Sequence, residues 1–161
     1  LQTDPDQYDV VIVGCGLAGG ALAAVLARAG RRVLVLERTA VREDIVRGEW
    51  IAPWGVAELH ALGLYPAVVA NGGHHLHEHT FYGNGASAEA PCLHFLPRFG
   101  PDRAPMGVQH VRMCTLLEQQ AVAAGATVLH GVLRTRVTPG APPHVSFDHG
   151  GVEHKIGRAH V

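Results

Sequence analysis

Apolar residues in this chain come in short runs separated by glycine-rich or charged turns. Residues 8–13 read YDVVIV, a β-branched run suited to a strand buried on both faces. GCGLAG follows at 14–19, and residues 20–29, rich in Ala and Leu and ended by Gly30, predict a helix. A second apolar run at 33–36, closed by Glu37, predicts another strand. Strand, glycine turn, helix and strand over residues 8–37 make one βαβ unit, whose crossover is expected to be right-handed.

Residues 38–49 form a charged loop. Residues 51–62 predict a helix entered through Pro53 and stopped by Gly63, with Trp54, Val56, Leu59 and Leu62 as its packing face. The stretch 71–105 is rich in Gly, Pro and His and offers only short strands, such as one over 76–82. Residues 110–124 predict an amphipathic helix ended by Gly125, followed by a third strand at 127–129. Apolar runs at 132–137, 145–147 and 151–153, divided by PGAPPH and DHGG, predict a small antiparallel meander.

Composition narrows the class. The chain has 161 residues, near one average domain, with 47% apolar residues, 17% charged residues and a formal net charge of −1, which excludes a disordered, collagen-like or polybasic chain. Near-neutral charge provides no footprint for nucleic acid or an anionic membrane. Apolar stretches are broken well short of the roughly 20 residues a bilayer requires, and residues 1–7 are polar without a basic or apolar leader pattern. A soluble, cytoplasmic protein with small-molecule partners is expected. Cys15, Cys92 and Cys114 are odd in number and lack metal-type spacing, so free thiols in a reducing compartment are expected.

The C-terminus reads differently. The basic residues are 12 Arg and one Lys, and Lys155 directly precedes IGRAHV. Those six residues are what ATC GGA AGA GCA CAC GTC encodes, a common sequencing-adapter string. Native sequence is therefore expected to stop at about His154, leaving 155–161 as a non-native tail and 1–154 as the front part of a longer protein.

The chemistry-bearing feature is the glycine turn. Gly14, Gly16 and Gly19 stand as G-x-G-x-x-G between the first strand and its helix. The first glycine allows the tight turn, the second lets backbone approach a diphosphate, and the third lets the helix pack closely on the strand. The helix N-terminus then faces the anion with free N–H groups and its positive dipole end. Glu37 lies 23 residues after Gly14, at the end of the second strand, where a carboxylate accepts from the ribose hydroxyls of an adenosine and repels a 2′-phosphate. A purely structural turn beside a solvated Glu is the alternative. The motif recognises the ADP half shared by NAD and FAD and does not separate them.

The string DVVIVGCGLAGGALAAVLARAGRRVLVLER resembles the opening of FAD-dependent oxidoreductases, with their D-x-x-I-V-G-x-G-x-A-G, A-x-x-L-A-x-x-G helix, and Glu followed by Arg or Lys. Arg47-Gly48 and A-x-x-x-G-A-x-V at 121–128 narrow the similarity to flavoprotein monooxygenases of the para-hydroxybenzoate hydroxylase type. The resemblance covers most of residues 8–153 and is poorest over 71–105. It implies an α/β, Rossmann-like FAD/NAD(P)-binding fold, incomplete, with a small antiparallel β meander. The expected organisation is a βαβ unit at 8–37, an irregular insertion at 71–105, a helix and third strand at 110–130 and a meander at 132–154.

It also implies FAD as cofactor, with Gly14, Gly16, Leu17, Ala18 and Gly19 along the pyrophosphate, Glu37 on the adenosine ribose, Arg38 beside the adenine and Arg47 reaching the cofactor from its loop. The family places an Arg or Gln where this chain has His110, a departure; His110 and Arg112 are the two residues able to contact the ribityl or phosphate portion. NAD(P)H as co-substrate, O₂ as oxidant and an organic substrate follow for the full-length parent, whereas the fragment alone is expected to be inactive. An NAD-dependent dehydrogenase fragment and a non-catalytic binding protein on the same scaffold are the alternatives. Relatives give the first strand neighbours on both sides, one from later sequence, so its edge is expected to be open and prone to self-association.

Other residues are weighed against simpler roles. His74, His75, His77 and His79 crowd one stretch, but without a supporting ligand set they read as loop histidines, and no metal is expected. Cys15 lies near a helix N-terminus that lowers a thiol pKa, yet its small size in a crowded turn explains it more simply. Trp50 and Trp54 read as helix packing before cavity lining. No Ser/His/Asp or paired-carboxylate arrangement stands out, and no catalytic residue is assigned; a flavin would carry the redox chemistry itself.

Overall fold

The computed structural model describes residues 8–44, 47–80, 92–141 and 143–157. In chain order they form β1 (Val10–Val13), α1 (Leu17–Arg28), β2 (Val33–Leu36), β3 (Trp50–Ile51), α2 (Pro53–Ala61), α3 (Tyr65–Ala70), β4 (His74–His75), β5 (Glu78–Thr80), β6 (Cys92–His94), α4 (Leu96–Phe99), β7 (Met106–Gly107), α5 (His110–Ala123), β8 (Thr127–Leu129), β9 (Leu133–Thr138), β10 (His144–His149) and β11 (Val152–Gly157). They divide into two compact units, residues 1–44 with 114–161, and residues 45–113.

The first unit holds the expected βαβ unit. β1 pairs in parallel with β2, and β2 in parallel with β8, giving the order β1-β2-β8. Every residue of β2 is buried, as a central parallel strand covered on both faces requires. β1 lies at an edge of this sheet, with Val13 55% exposed, so the open edge expected from sequence is present among the described residues. Helix α1 starts three residues earlier than the Ala/Leu run indicated, because Leu17 to Gly19 already take helical backbone and close against β1. Its small residues Gly20, Ala23, Ala24 and Ala27 form the buried face, and at Gly20 a Cβ would come within 2.9 Å of the Leu117 Cβ on α5. Close helix approach is thus written as a stripe of small side chains.

The meander forms as expected, in the order β11-β10-β9 with antiparallel pairing on both sides of β10. Phe147 joins it to the parallel sheet: it is buried in one cluster with Leu34, Leu36 and Val132. Residues 155–157, expected to belong to a non-native tail, continue β11 and pair with His144 to Ser146; residues 158–161 lie outside the described residues.

The second unit departs further from expectation. The single helix over 51–62 is instead β3 followed by α2, because Trp50 and Ile51 pair with β7 and Pro53 opens the helix at its first turn. Trp54, expected on the packing face, is 74% exposed, whereas Val56 and Leu59 are buried. Helix α3, entered through Pro66, has no counterpart among the expected elements, because six residues carry too little periodicity. The stretch 71–105 contains β4, β5, β6 and α4, and the strand expected over 76–82 is described only as Glu78–Thr80. No helix among the described residues is long and apolar enough to cross a membrane.

Replacing Phe147 by Ala opens a cavity where the meander meets β2 and is expected to cost about 3 kcal/mol of unfolding free energy. Urea denaturation of the two proteins measures the difference, and a loss under about 0.5 kcal/mol contradicts the packing described.

Candidate functional site

β1 ends at Val13 and the chain turns through Gly14, whose φ of +97° is a conformation L side chains rarely adopt. The Gly14 N–H donates to the Leu36 carbonyl at 2.8 Å, which holds the start of the turn against β2. Two side chains then fix the next two peptides. The Cys15 N–H donates to Glu37 Oε2 at 2.6 Å, and the Cys15 carbonyl accepts from Arg42 Nη2 at 2.8 Å. In a planar trans peptide the carbonyl and the following N–H point in opposite directions. Glu37 therefore turns the Gly14 carbonyl toward the helix, where a Cβ on Gly19 would overlap that oxygen. This close approach explains the third glycine of the motif.

Gly16 differs. Its φ of −83° is ordinary, and a Cβ built on it meets nothing within 4 Å. Open space therefore lies over the second glycine, at the mouth of α1. The N–H groups of Gly16, Leu17, Ala18 and Gly19 have no acceptor among the described residues. They are the free donors of a helix start, and no side chain caps them. Leu17 and Ala18 are exposed. Four donors around a space that a Cβ would fill make a cradle for a small anionic group, and this fits the diphosphate of a dinucleotide.

Glu37 is 8% exposed, so it is not a solvated side chain. Its Oε1 accepts from the Thr39 N–H at 2.7 Å while Oε2 holds Cys15. The Thr39 hydroxyl also donates to this carboxylate, so one acceptor position is left for a further donor. Burial by itself would raise this carboxyl's pKa; the Cys15 and Thr39 donors and the nearby Arg42 charge outweigh burial and hold it below the ordinary carboxylate range. Arg38 is exposed immediately beyond β2.

A polar network that the sequence did not disclose supports the turn. Arg42 Nη2 also donates to Glu118 Oε2 on α5 at 2.6 Å, and Glu118 Oε1 lies 2.7 Å from His130 Nε2. His130 Nδ1 is 2.9 Å from the Thr39 carbonyl. Burial opposes charge on all three side chains, yet the pairing prevails: Glu118 is shifted down, and Arg42 and His130 are shifted up. No spacing signal links positions 42, 118 and 130, which meet only because α5 and β8 return beside the first βαβ unit. Cys15, fully buried beneath the turn, has its thiol pushed up to about 11 by burial and by Glu118, which excludes an activated thiolate. Cys15, Cys92 and Cys114 form no disulfide among the described residues.

Arg47, His110 and Arg112 belong to the second unit. Arg47 is exposed in the loop entering β3. His110 begins α5, and its N–H donates to Glu49 Oε1 at 3.4 Å. Arg112 is exposed beside Gly72, where a Cβ would come within 3.3 Å of Nη1. The crowded histidines take local bonds: His75 Nδ1 donates to the Ala104 carbonyl at 2.7 Å and its Nε2 accepts from the Tyr65 hydroxyl at 2.9 Å. Trp50 and Trp54 meet edge to face, 6.4 Å between ring centres, and both are exposed. Glu78, Cys92 and His94 on the exposed β5–β6 pair bring three potential ligand atoms within 4.8 Å of one another. Glu78 there already accepts from Cys92 and pairs with His94 at 3.2 Å.

The parallel βαβ sheet, the glycine turn at the helix mouth and the acidic residue ending β2 define a dinucleotide-binding protein of the Rossmann-like class. The profile of the family described as FAD binding domain matches residues 7–138, and the chain belongs to that family. It is 35% identical over 121 residues to squalene monooxygenase of Mus musculus, covering 75% of this chain and 21% of that protein. Among solved structures, OxyS anhydrotetracycline hydroxylase from Streptomyces rimosus superposes with a TM-score of 0.74 at 27% identity, covering 94% of this chain and 30% of that one. The p-nitrophenol 4-monooxygenase PnpA from Pseudomonas putida gives a TM-score of 0.81 at 14% identity, covering 94% and 39%, and shares the fold. The chain thus spans about a fifth of the mouse enzyme and well under half of these solved chains.

Glu37 contributes stability that is complete above its ordinary pKa of 4.5 and is lost as pH falls through its lower folded value. Glu37→Gln is expected to lower unfolding free energy at pH 7 by about 2 kcal/mol and to flatten the acid limb of the stability profile. Urea unfolding between pH 7 and pH 3 reads both; an unchanged acid limb contradicts the assignment.

Proposed function

We propose that the turn from Gly14 to Gly19 holds the diphosphate of FAD, and that this domain serves a flavin-dependent monooxygenase acting on a small organic substrate with NAD(P)H and O₂. The observation that carries the site is the open space over Gly16, ringed by the free N–H groups of Gly16, Leu17, Ala18 and Gly19. Main-chain donors at a helix start suit an anion, and they stabilise it without a lysine or arginine in the turn. Glu37 accepts a ribose hydroxyl on the acceptor position that Cys15 and Thr39 leave free, and its charge disfavours a 2′-phosphate. Arg38, exposed at the end of β2, flanks the adenine.

The proposal extends to Arg47, whose guanidinium fork suits phosphate oxygens, and to His110 and Arg112 as contacts to the phosphate or ribityl portion, on the strength of the resemblance. Bound FAD supplies a redox-active ring system that accepts and donates electron pairs. This chain's residues bind and orient the adenine end of that cofactor. The likeness to the mouse squalene monooxygenase and the OxyS hydroxylase supports an oxygen-inserting reaction, the near-neutral charge supports small-molecule partners over nucleic acid or membrane surfaces, and the odd number of cysteines supports a reducing, cytoplasmic setting.

Because Gly16 has ordinary backbone angles and free space, Gly16→Val tests the cradle without disturbing the fold. The variant is expected to melt within about 3 °C of the unsubstituted chain and to bind FAD at least about tenfold more weakly, read by quenching of FAD fluorescence. Equal affinity places the diphosphate elsewhere, and tight binding of NAD with none of FAD overturns the cofactor assignment.

A further inference from the structure

Arg42, Glu118 and His130 have no part in the motif, yet they form an unbroken chain of contacts ending on the Cys15 carbonyl. Each member is held from two sides. Arg42 spans the carbonyl and Glu118; Glu118 spans Arg42 and His130; His130 spans Glu118 and the Thr39 carbonyl. The side chains of Arg42 and Glu118 are about one-fifth exposed, which limits competition from water.

His130 carries a specific demand. Its Nδ1 faces a backbone carbonyl and its Nε2 faces a carboxylate, and both partners only accept hydrogen bonds. Both ring nitrogens must therefore carry protons, which makes the imidazolium the form that satisfies the site. A neutral ring has one N–H and leaves either Glu118 or the Thr39 carbonyl without its donor. Thr39 matters at both ends, since its N–H also donates to Glu37.

We propose that Arg42, Glu118 and His130 are positioning residues of the nucleotide turn, which set the Cys15–Gly16 peptide so that the Gly16 N–H faces the diphosphate, and which do so fully only while His130 holds both ring protons. The geometry follows from peptide planarity: Arg42 draws the Cys15 carbonyl to one side, so the Gly16 N–H, which has no acceptor among the described residues, is directed to the other. The inference rests on the diphosphate reading of that turn. The charged groups facing His130 are Glu118 from α5 and Arg42 from the loop after β2, and they act on its proton in opposite senses. Burial alone would lower its pKa, but Glu118 and the Thr39 carbonyl shift it upward. The hold is complete below the ordinary value of 6.5 and is lost as pH rises through the higher folded value.

The test measures FAD affinity of the whole chain from pH 5.5 to 9 by fluorescence quenching, with His130 titrated in parallel by NMR of its ring protons. Affinity is expected to fall about fivefold with a midpoint matching that of His130. His130→Gln is expected to bind weakly with no step in this range, and Glu118→Gln to lower the His130 midpoint. The relay is overturned if FAD affinity shows no step at the His130 midpoint, if the step persists in His130→Gln, or if Glu118→Gln leaves the midpoint unmoved. Absence of FAD binding by the unsubstituted chain at every pH overturns the diphosphate reading and the relay together, whereas binding abolished by Gly16→Val but indifferent to His130 overturns the relay alone.

Discussion

Glu37 is a carboxylate taken almost out of water, and such a group persists as an anion only when donors replace its hydration. Here the donors are the backbone N–H groups of Cys15 in the glycine turn and of Thr39 in the loop after β2, with the Thr39 hydroxyl beside them. One side chain therefore joins the end of the second strand to the turn after the first and fixes the peptide that aims the Gly14 carbonyl at α1. The close approach at Gly19, where a Cβ would overlap the Gly14 carbonyl, follows from that peptide's orientation. A residue expected to serve a ligand is thus also the keystone of the turn that would bind it.

The same economy appears on the other side of Cys15. Its carbonyl is held by Arg42, and Arg42 is kept in place by Glu118 and His130, so both peptides flanking one buried cysteine are set by side chains from distant positions. Main-chain groups binding an anion gain affinity from being fixed beforehand, because donors already aligned lose little freedom when the ligand arrives. The network around Cys15 is a physical route to that preorganisation, and it explains why a small buried residue with an un-ionised thiol suits the second position of the turn.

Membership in the FAD binding domain family accords with this picture and assigns a cofactor class that the turn alone does not distinguish. The ADP half is common to NAD and FAD, so the same glycines and the same acidic residue serve both. The chain spans only part of its relatives' length.

Much of the first unit was legible in the sequence because its signals are local. A β-branched run, a glycine triplet, an Ala-rich face and a carboxylate at the end of β2 are each set by a few neighbouring residues, and one strand spacing places Gly14 beside Leu36. The meander was legible for the same reason, its strands being separated by turn-forming residues. The exposure of Trp54, the division of residues 50–61 into β3 and α2, and the short α3 were not, because two-residue strands and six-residue helices take their shape from partners such as β7 rather than from periodicity. The meeting of Arg42, Glu118 and His130 lay further out of reach. Their separations of 76 and 12 residues carry no pattern, and only the return of α5 and β8 against the first strands converts three ordinary polar residues into one half-buried, charged support for the turn. Sequence by itself determined the local chemistry of the cradle; tertiary packing decided what holds it in position, because burial and pairing exist only once distant segments are brought together.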